Sequence, residues 1–222
     1  MASKLNPLIV SATKYADSVP RPLSNSLNSL EIPLFMRTEN KNALAKVYNE
    51  AIDQAIEENR DSLVLIHDDV HIAYDFRPRL AELFEQYDLI GVAGASTIKI
   101  GEPALWHIMG GGHNAPTMHG AVAHGNKKYM HMTSFGAYPH RAVLIDGVFM
   151  AIKREVFTKV RFDETNPAKF HFYDLSFSLD THKKGFRVGV GDIPIIHESM
   201  GLTEYTPEWK EGETWFLNKY GA

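Results

Sequence analysis

Apolar positions along this chain follow two rhythms. Short continuous apolar runs alternate with segments whose apolar residues recur every three or four positions. Leu8-Ile9-Val10-Ser11-Ala12 is the first run and predicts a strand that ends at Thr13. Asp17 to Leu30 is rich in Ser, Asn and Pro and predicts a loop. Ile32-Pro33-Leu34-Phe35-Met36 predicts a second strand, with Pro33 at its start. Ala43, Leu44, Val47, Tyr48, Ala51, Ile52, Ala55 and Ile56 then recur at helical spacing, with Asn40 or Asn42 as the expected N-cap. Leu63-Val64-Leu65-Ile66 is uninterrupted and predicts a strand buried on both faces, as in a parallel sheet. Strand, helix and strand in this order imply a right-handed crossover. A second amphipathic helix is expected over Phe76–Tyr87, and another buried strand over Leu89–Gly94. The pattern to this point is βαβαβ, as in a nucleotide-binding half-domain.

The rhythm is lost from Gly101 to His140. Trp106-His107-Ile108-Met109-Gly110-Gly111-Gly112-His113 is glycine-rich but matches neither a P-loop nor the dinucleotide fingerprint. Regularity returns at Ala142–Ile152, a strand pair or a bulged strand broken in the middle by Asp146-Gly147, and a short helix follows from Lys153. Leu175 to Lys184 predicts a helix ended by Gly185. Phe186–Val190 and Ile193–Glu198 predict the last strands, and Thr203–Tyr220 a closing helix or flap.

Chemistry gathers where these runs end. The strand Leu63–Ile66 leads straight into His67-Asp68-Asp69, and Ile195-Ile196 into His197. The carboxyl ends of strands are where open α/β sheets place their ligands. Adjacent carboxylates and imidazoles there suit a divalent cation that holds a phosphorylated substrate; the alternative is a solvated polar exit.

The chain has 222 residues and no cysteine, which excludes disulfides, zinc–thiolate sites and thiol nucleophiles. No run approaches the length of a membrane span, and no basic-then-apolar leader opens the chain, so a cytoplasmic protein is expected. The net charge of −4 is unevenly spread: −5 over residues 1–119, +5 over 120–190 and −4 over 191–222. The basic middle is a candidate surface for something anionic. Seven of the 11 histidines fall between His107 and His171, which admits a second metal site over 107–140.

Taken together, these residues resemble glycosyltransferases of the GT-A fold, the large inverting family 2 and its relatives. Four blocks carry the resemblance: Asn42–Ile52; Leu65-Ile66-His67-Asp68-Asp69-Val70, similar to the Asp-x-Asp motif behind its strand; Asp146–Phe157; and Phe162-Asp163-Glu164 through Tyr173-Asp174-Leu175 to Gly185-Phe186-Arg187. His67 stands where the family usually has its first Asp, and Tyr173 where a Glu commonly precedes the base.

The resemblance implies an α/β fold, a GT-A type Rossmann-like three-layer sandwich with a central mostly parallel sheet. It implies one domain over 1–222, with residues 1–100 as the nucleotide-binding half and 101–222 as the acceptor half and C-terminal flap. The implied activity is metal-dependent, inverting transfer of a sugar from a nucleotide-sugar donor, a UDP-sugar first, to an acceptor hydroxyl. Asp69 and His197 would hold the metal, and a histidine ligand favours Mn²⁺ over Mg²⁺. Thr13, His67, Asp68 and Asp69 would meet the donor. Asp174 would be the general base, although an Asp at that place also fits a helix N-cap. Trp106, Asp146 and Gly147 would line the sugar and acceptor pocket. The acceptor would be a glycan, a lipid-linked sugar or a protein, with nucleic acid as a further option. A nucleotide-sugar or glycan-binding protein of this fold without turnover is the alternative. A nucleotidyltransferase would show a glycine-rich basic signature that Leu8–Arg21 lacks.

Overall fold

A computed structural model of the chain describes residues 5–126, 128–199 and 204–221. The first run forms β1 (Pro7–Ala12), with Leu8, Ile9 and Val10 buried. The Ser/Asn-rich segment expected as a loop contains a helix, α1 (Pro22–Ser29). Pro22 occupies its first position, where the missing N–H is not needed, and Leu23 and Leu27 are fully buried. Packing of two leucines therefore outweighs the weak helix propensity of the serines and asparagines between them. β2 (Phe35–Arg37) is shorter and later than the expected Ile32–Met36.

The periodic segment forms α2 (Leu44–Glu57). Neither Asn40 nor Asn42 caps it. Ala43 holds that place, Asn40 Oδ1 accepts the Asn42 N–H instead, and the Leu44 N–H goes to the Lys169 carbonyl. β3 (Ser62–Ile66) is buried throughout, as its sequence requires, and β4 (Val70–Ile72) and α3 (Arg77–Gln86) follow. The run expected as one strand over Leu89–Gly94 is two, β5 (Leu89–Gly91) and β6 (Ala93–Ala95), which belong to different sheets. Glycine permits the switch: a Cβ on Gly94 would sit 2.2 Å from the Leu144 carbonyl oxygen.

The segment without a legible pattern holds α4 (Trp106–Met109) and an antiparallel pair, β7 (Met118–Gly125) and β8 (Met130–Gly136). β9 (His140–Ala142), β10 (Leu144–Ile145) and β11 (Phe149–Lys153) come next, with Asp146-Gly147 at the break. α5 (Arg154–Phe157), α6 (Tyr173–Lys183), β12 (Val188–Val190), β13 (Ile195–His197) and α7 (Pro207–Tyr220) complete the chain. Thr203, the expected start of the closing helix, lies outside the described residues; Thr206 caps α7 by accepting the Trp209 N–H.

The central sheet runs β2-β1-β3-β11-β5-β12-β9. β2, β1, β3, β5 and β12 point one way, and β11 and β9 oppose them, so the sheet is mostly parallel in direction. Alternation in β1 and β3 sends Leu8, Val10, Leu63 and Leu65 to a core with α2, α5 and α6. Ile9, Val64 and Ile66 face the other way, to a core with α1 and α3. A third cluster seats Trp209, Phe216 and Tyr220 of α7 against Leu175 and Leu179 of α6. The second sheet, β10-β6-β7-β13-β4 with β8 beside β7, stands at the carboxyl ends of the central strands. Among the described residues no helix is long and apolar enough to cross a membrane.

Candidate functional site

The turn from β3 to β4 carries His67, Asp68 and Asp69. β13 pairs with β4 so that His197 stands opposite Val70, and the Glu198 N–H reaches the Asp69 carbonyl at 3.0 Å. That register delivers His197 to the Asp69 side chain. Ligand atoms of His67, Asp69 and His197 all lie within 4.8 Å of one another. Asp69 Oδ1 and His197 Nε2 are both buried and lie 3.2 Å apart, within ion-pair distance of each other, and among the described residues neither atom has a further hydrogen-bond partner.

Leaving a buried polar atom unsatisfied costs about 1–3 kcal/mol, and here two such atoms face each other beside a third donor group. Burial raises the Asp69 carboxyl, but His197 and then His67 outweigh it and hold it below its ordinary range. Burial lowers His67, and His197 adds to the effect, so this imidazole is held neutral. An ionised carboxylate and a neutral imidazole are the forms in which these side chains bind a divalent cation, and the residues fit one.

The cluster opens into a cavity of about 590 Å³. Asp68, Trp106, Asp146, Gly147 and Asp174 line the same cavity, so seven of the residues singled out from sequence converge there with His67 and Asp69 included. His197, singled out as a ligand, makes an eighth. A hollow of about 660 Å³ lies at the amino ends of β1 and β2, where it meets Gln54, Glu58, Arg60 and Arg77 but none of these groups. Thr13 is buried at the end of β1 beside the cavity, and Ala12 takes the lining position.

Asp174 does not cap α6. Phe172 holds the cap in the left-handed region at φ 65°, and Asp174 sits inside the first turn. Its Oδ2 accepts the Gly147 N–H at 2.8 Å, a contact open only to glycine: a Cβ there would fall 2.2 Å from Tyr173 Oη. Burial, with the charge of Asp146 behind it, pushes the Asp174 carboxyl up to about 7 against the pull of backbone N–H groups. A carboxylate poised near neutrality suits proton abstraction. Asp146 Oδ1 accepts the Val148 N–H at 2.9 Å. Asp68 is ion-paired with Arg21, whose guanidinium lies 4.5 Å from the centre of the Tyr15 ring. Trp106 packs edge-on to Phe135, with ring centres 5.0 Å apart.

Sequence reasoning missed Tyr173, Phe170, Phe172, Glu204 and Trp209, all of which line the cavity. The aromatic run Phe170-His171-Phe172-Tyr173 ahead of Asp174 was the available signal, since so many rings next to a polar site exceed what a core needs there. The histidines of 107–140 meet two by two, with His119 and His140 stacked at 3.6 Å, His107 and His113 at 4.6 Å, and His124 and His131 at 5.4 Å. Among the described residues no three of their ligand atoms converge.

Residues 21–220 match the sequence model of a glycosyltransferase-like family. No curated protein matches the sequence. Among solved structures, A197 from STIV aligns with 91% of this chain and 98% of its own, at 18% identity and a TM-score of 0.52. GalNAc-T7 with UDP, GalNAc and Mn²⁺ aligns with 98% of this chain and 48% of its own, at 11% identity and a TM-score of 0.61. S. aureus TarS 1-349 in complex with UDP aligns with 88% of this chain and 61% of its own, at 13% identity and a TM-score of 0.52. The chain thus spans about half the length of GalNAc-T7 and three fifths of that TarS fragment. At such identities the likeness is one of fold, the GT-A fold.

Proposed function

The chain belongs to the glycosyltransferase-like family, and on that premise we propose that it moves a sugar from a nucleoside-diphosphate sugar to an acceptor hydroxyl, with inversion at the anomeric carbon. The observation that carries this reading is the convergence of His67, Asp69 and His197, with the buried atoms Asp69 Oδ1 and His197 Nε2 facing each other at 3.2 Å, in one cavity with Asp174. Asp69 and His197, with His67 beside them, hold a divalent cation. When bound, that cation supplies the positive charge that a departing diphosphate needs. Two imidazoles and one carboxylate suit Mn²⁺ better than Mg²⁺. The UDP and Mn²⁺ in the GalNAc-T7 structure favour a UDP-sugar as donor.

The Asp174 carboxylate takes the proton of the acceptor hydroxyl as its oxygen bonds to the anomeric carbon. The bond from that carbon to the phosphate oxygen breaks, and the electron pair leaves with the diphosphate. The Gly147 N–H fixes one oxygen of the base. Asp68, tied to Arg21, and Thr13, behind Ala12, shape the nucleoside end of the cavity. Trp106, Asp146 and Gly147 form the sugar and acceptor edge. Residues 1–222 act as one domain, with 1–100 holding the nucleotide and 101–222 supplying the acceptor side and the closing helix.

Thermal titration with UDP, GDP and CDP and their sugar conjugates, with and without Mn²⁺, tests the donor site. Ligand at a hundredfold excess over its dissociation constant adds about 2.7 kcal/mol. Stabilisation by one nucleotide only with Mn²⁺ present, followed by sugar transfer or hydrolysis that Asp174→Asn abolishes, is the expected result. Binding without turnover would make the chain a donor-binding protein, and no binding would end the reading.

A further inference from the structure

We propose that the acceptor subsite takes an uncharged polyhydroxylated ring, a sugar residue without carboxylate, sulfate or phosphate, and disfavours anionic acceptors. This rests on the transfer reading above and concerns the same cavity. Five carboxylates line it, on Asp68, Asp69, Asp146, Asp174 and Glu204, and among the described lining residues there is no Lys or Arg.

The charges divide by task. Asp68 is paired with Arg21, and Asp69 belongs to the cation cluster. A cation of charge +2 is matched by the donor diphosphate. Asp146 and Glu204, together with Asp174 in its ionised form, then face the acceptor with no Lys or Arg among the described lining residues. An incoming phosphate or carboxylate would meet these with no cationic side chain to offset them, and like charges in a partly desolvated cavity repel strongly. Carboxylates do accept hydrogen bonds from neutral hydroxyl groups, which a sugar supplies in number.

Four basic side chains of residues 120–190 are engaged elsewhere. Lys153 and Arg187 bind Asp88, Arg154 donates to the Arg60 carbonyl, and Arg161 pairs with Asp53. None of these four side chains lines the cavity.

Six aromatic side chains also line the cavity, Tyr48, Trp106, Phe170, Phe172, Tyr173 and Trp209, among small and aliphatic ones. Phe172 and Trp209 are buried with ring centres 5.3 Å apart, which makes a rigid backing. Phe170, 47% exposed, and Trp106, braced by Phe135, present ring surface to the cavity. Apolar ring faces with a few convergent polar groups suit a ligand that has one apolar face and a hydroxylated rim.

The test uses the full chain with Mn²⁺ and the donor found by titration. Transfer is measured onto methyl glycosides of glucose, galactose, mannose and N-acetylglucosamine, and onto their uronate and 6-phosphate counterparts. At least tenfold higher kcat/KM on the neutral set is expected, and Glu204→Lys should narrow the gap by raising transfer to the charged set. Equal or better transfer to the charged set overturns the proposal, as does product from neither set while donor binds. An absence of donor binding strikes the transfer reading itself, and this proposal falls with it.

Discussion

The Tyr173 hydroxyl lies 2.9 Å from His67 Nε2 and 3.2 Å from the Gly147 carbonyl oxygen. One direction of donation satisfies all three groups: His67 Nε2–H to Tyr173 Oη, and Tyr173 O–H to the Gly147 carbonyl. His67 Nδ1 then keeps its lone pair, the form in which an imidazole binds a cation. Tyr173 thereby ties the turn after β3 to Gly147, whose N–H holds Asp174. The proposed cation cluster and the proposed base thus share one hydrogen-bonded frame.

Tyr173→Phe removes that link with little change in shape. Supporting partners of metal ligands are worth about ten- to hundredfold in affinity. Mn²⁺ affinity should fall by that factor, while thermal stability drops by no more than about 1–3 kcal/mol for the partners left unbonded. Titration followed by electron paramagnetic resonance reads the affinity. An unchanged affinity would assign Tyr173 to packing alone.

Asp174→Asn should abolish transfer and stabilise the fold at once. The carboxyl is raised in the folded state from the ordinary 3.8 to about 7. Between those values the folded chain binds more protons than the unfolded one, so stability falls as pH rises through that window. Asparagine lacks the penalty. The variant should exceed the wild type by on the order of 2 kcal/mol above pH 7, once partial solvent contact is allowed for, and the gap should close near pH 4. Urea unfolding at the two pH values measures it. Wild-type transfer should rise with pH through about 7 as the base ionises.

Gly147→Ala tests the close approach at the base. The added Cβ would meet Tyr173 Cζ at 2.7 Å and Asp174 Cβ at 2.9 Å, as well as the hydroxyl. Both side chains belong to the first turn of α6, so that turn has to shift. Overpacking of this kind costs about 1–3 kcal/mol. Turnover should fall by at least a hundredfold while Mn²⁺-dependent nucleotide binding weakens far less, because misplacement affects the base more than the donor. Parallel loss of both would show that Gly147 supports the whole cavity instead.

Much of the architecture is legible in the chain because packing repeats along it. The unbroken run Leu63–Ile66 requires burial on both faces, and the spacing from Leu44 to Ile56 presents one apolar stripe, so β3 and α2 follow directly. Where main-chain geometry decides, the pattern is silent. Nothing in Leu89–Gly94 shows that the chain leaves one sheet for another at Val92. β7 is written with histidines and glycines because its strand is held by neighbours on both sides, not by an alternating face. α1 escaped notice because two leucines do the packing among residues that favour turns.

The site divides along the same line. Asp69 and His197 end apolar strands and announce themselves. Asp174 was found through resemblance, yet its seat inside α6 depends on the left-handed Phe172, which no local signal marks. The resemblance marks Tyr173 only as a departure just before the base, and only the fold brings its hydroxyl to His67.

The central claim is that His67, Asp69 and His197 converge because a divalent cation belongs among them. Calorimetric titration of the full chain with Mn²⁺, beside Asp69→Ala and His197→Ala, tests it most directly. The account predicts one tight site in the wild type, an affinity loss of at least a hundredfold in each variant, and UDP stabilisation that disappears with the site. Equal Mn²⁺ affinity in all three proteins, or UDP binding indifferent to the metal, would contradict it.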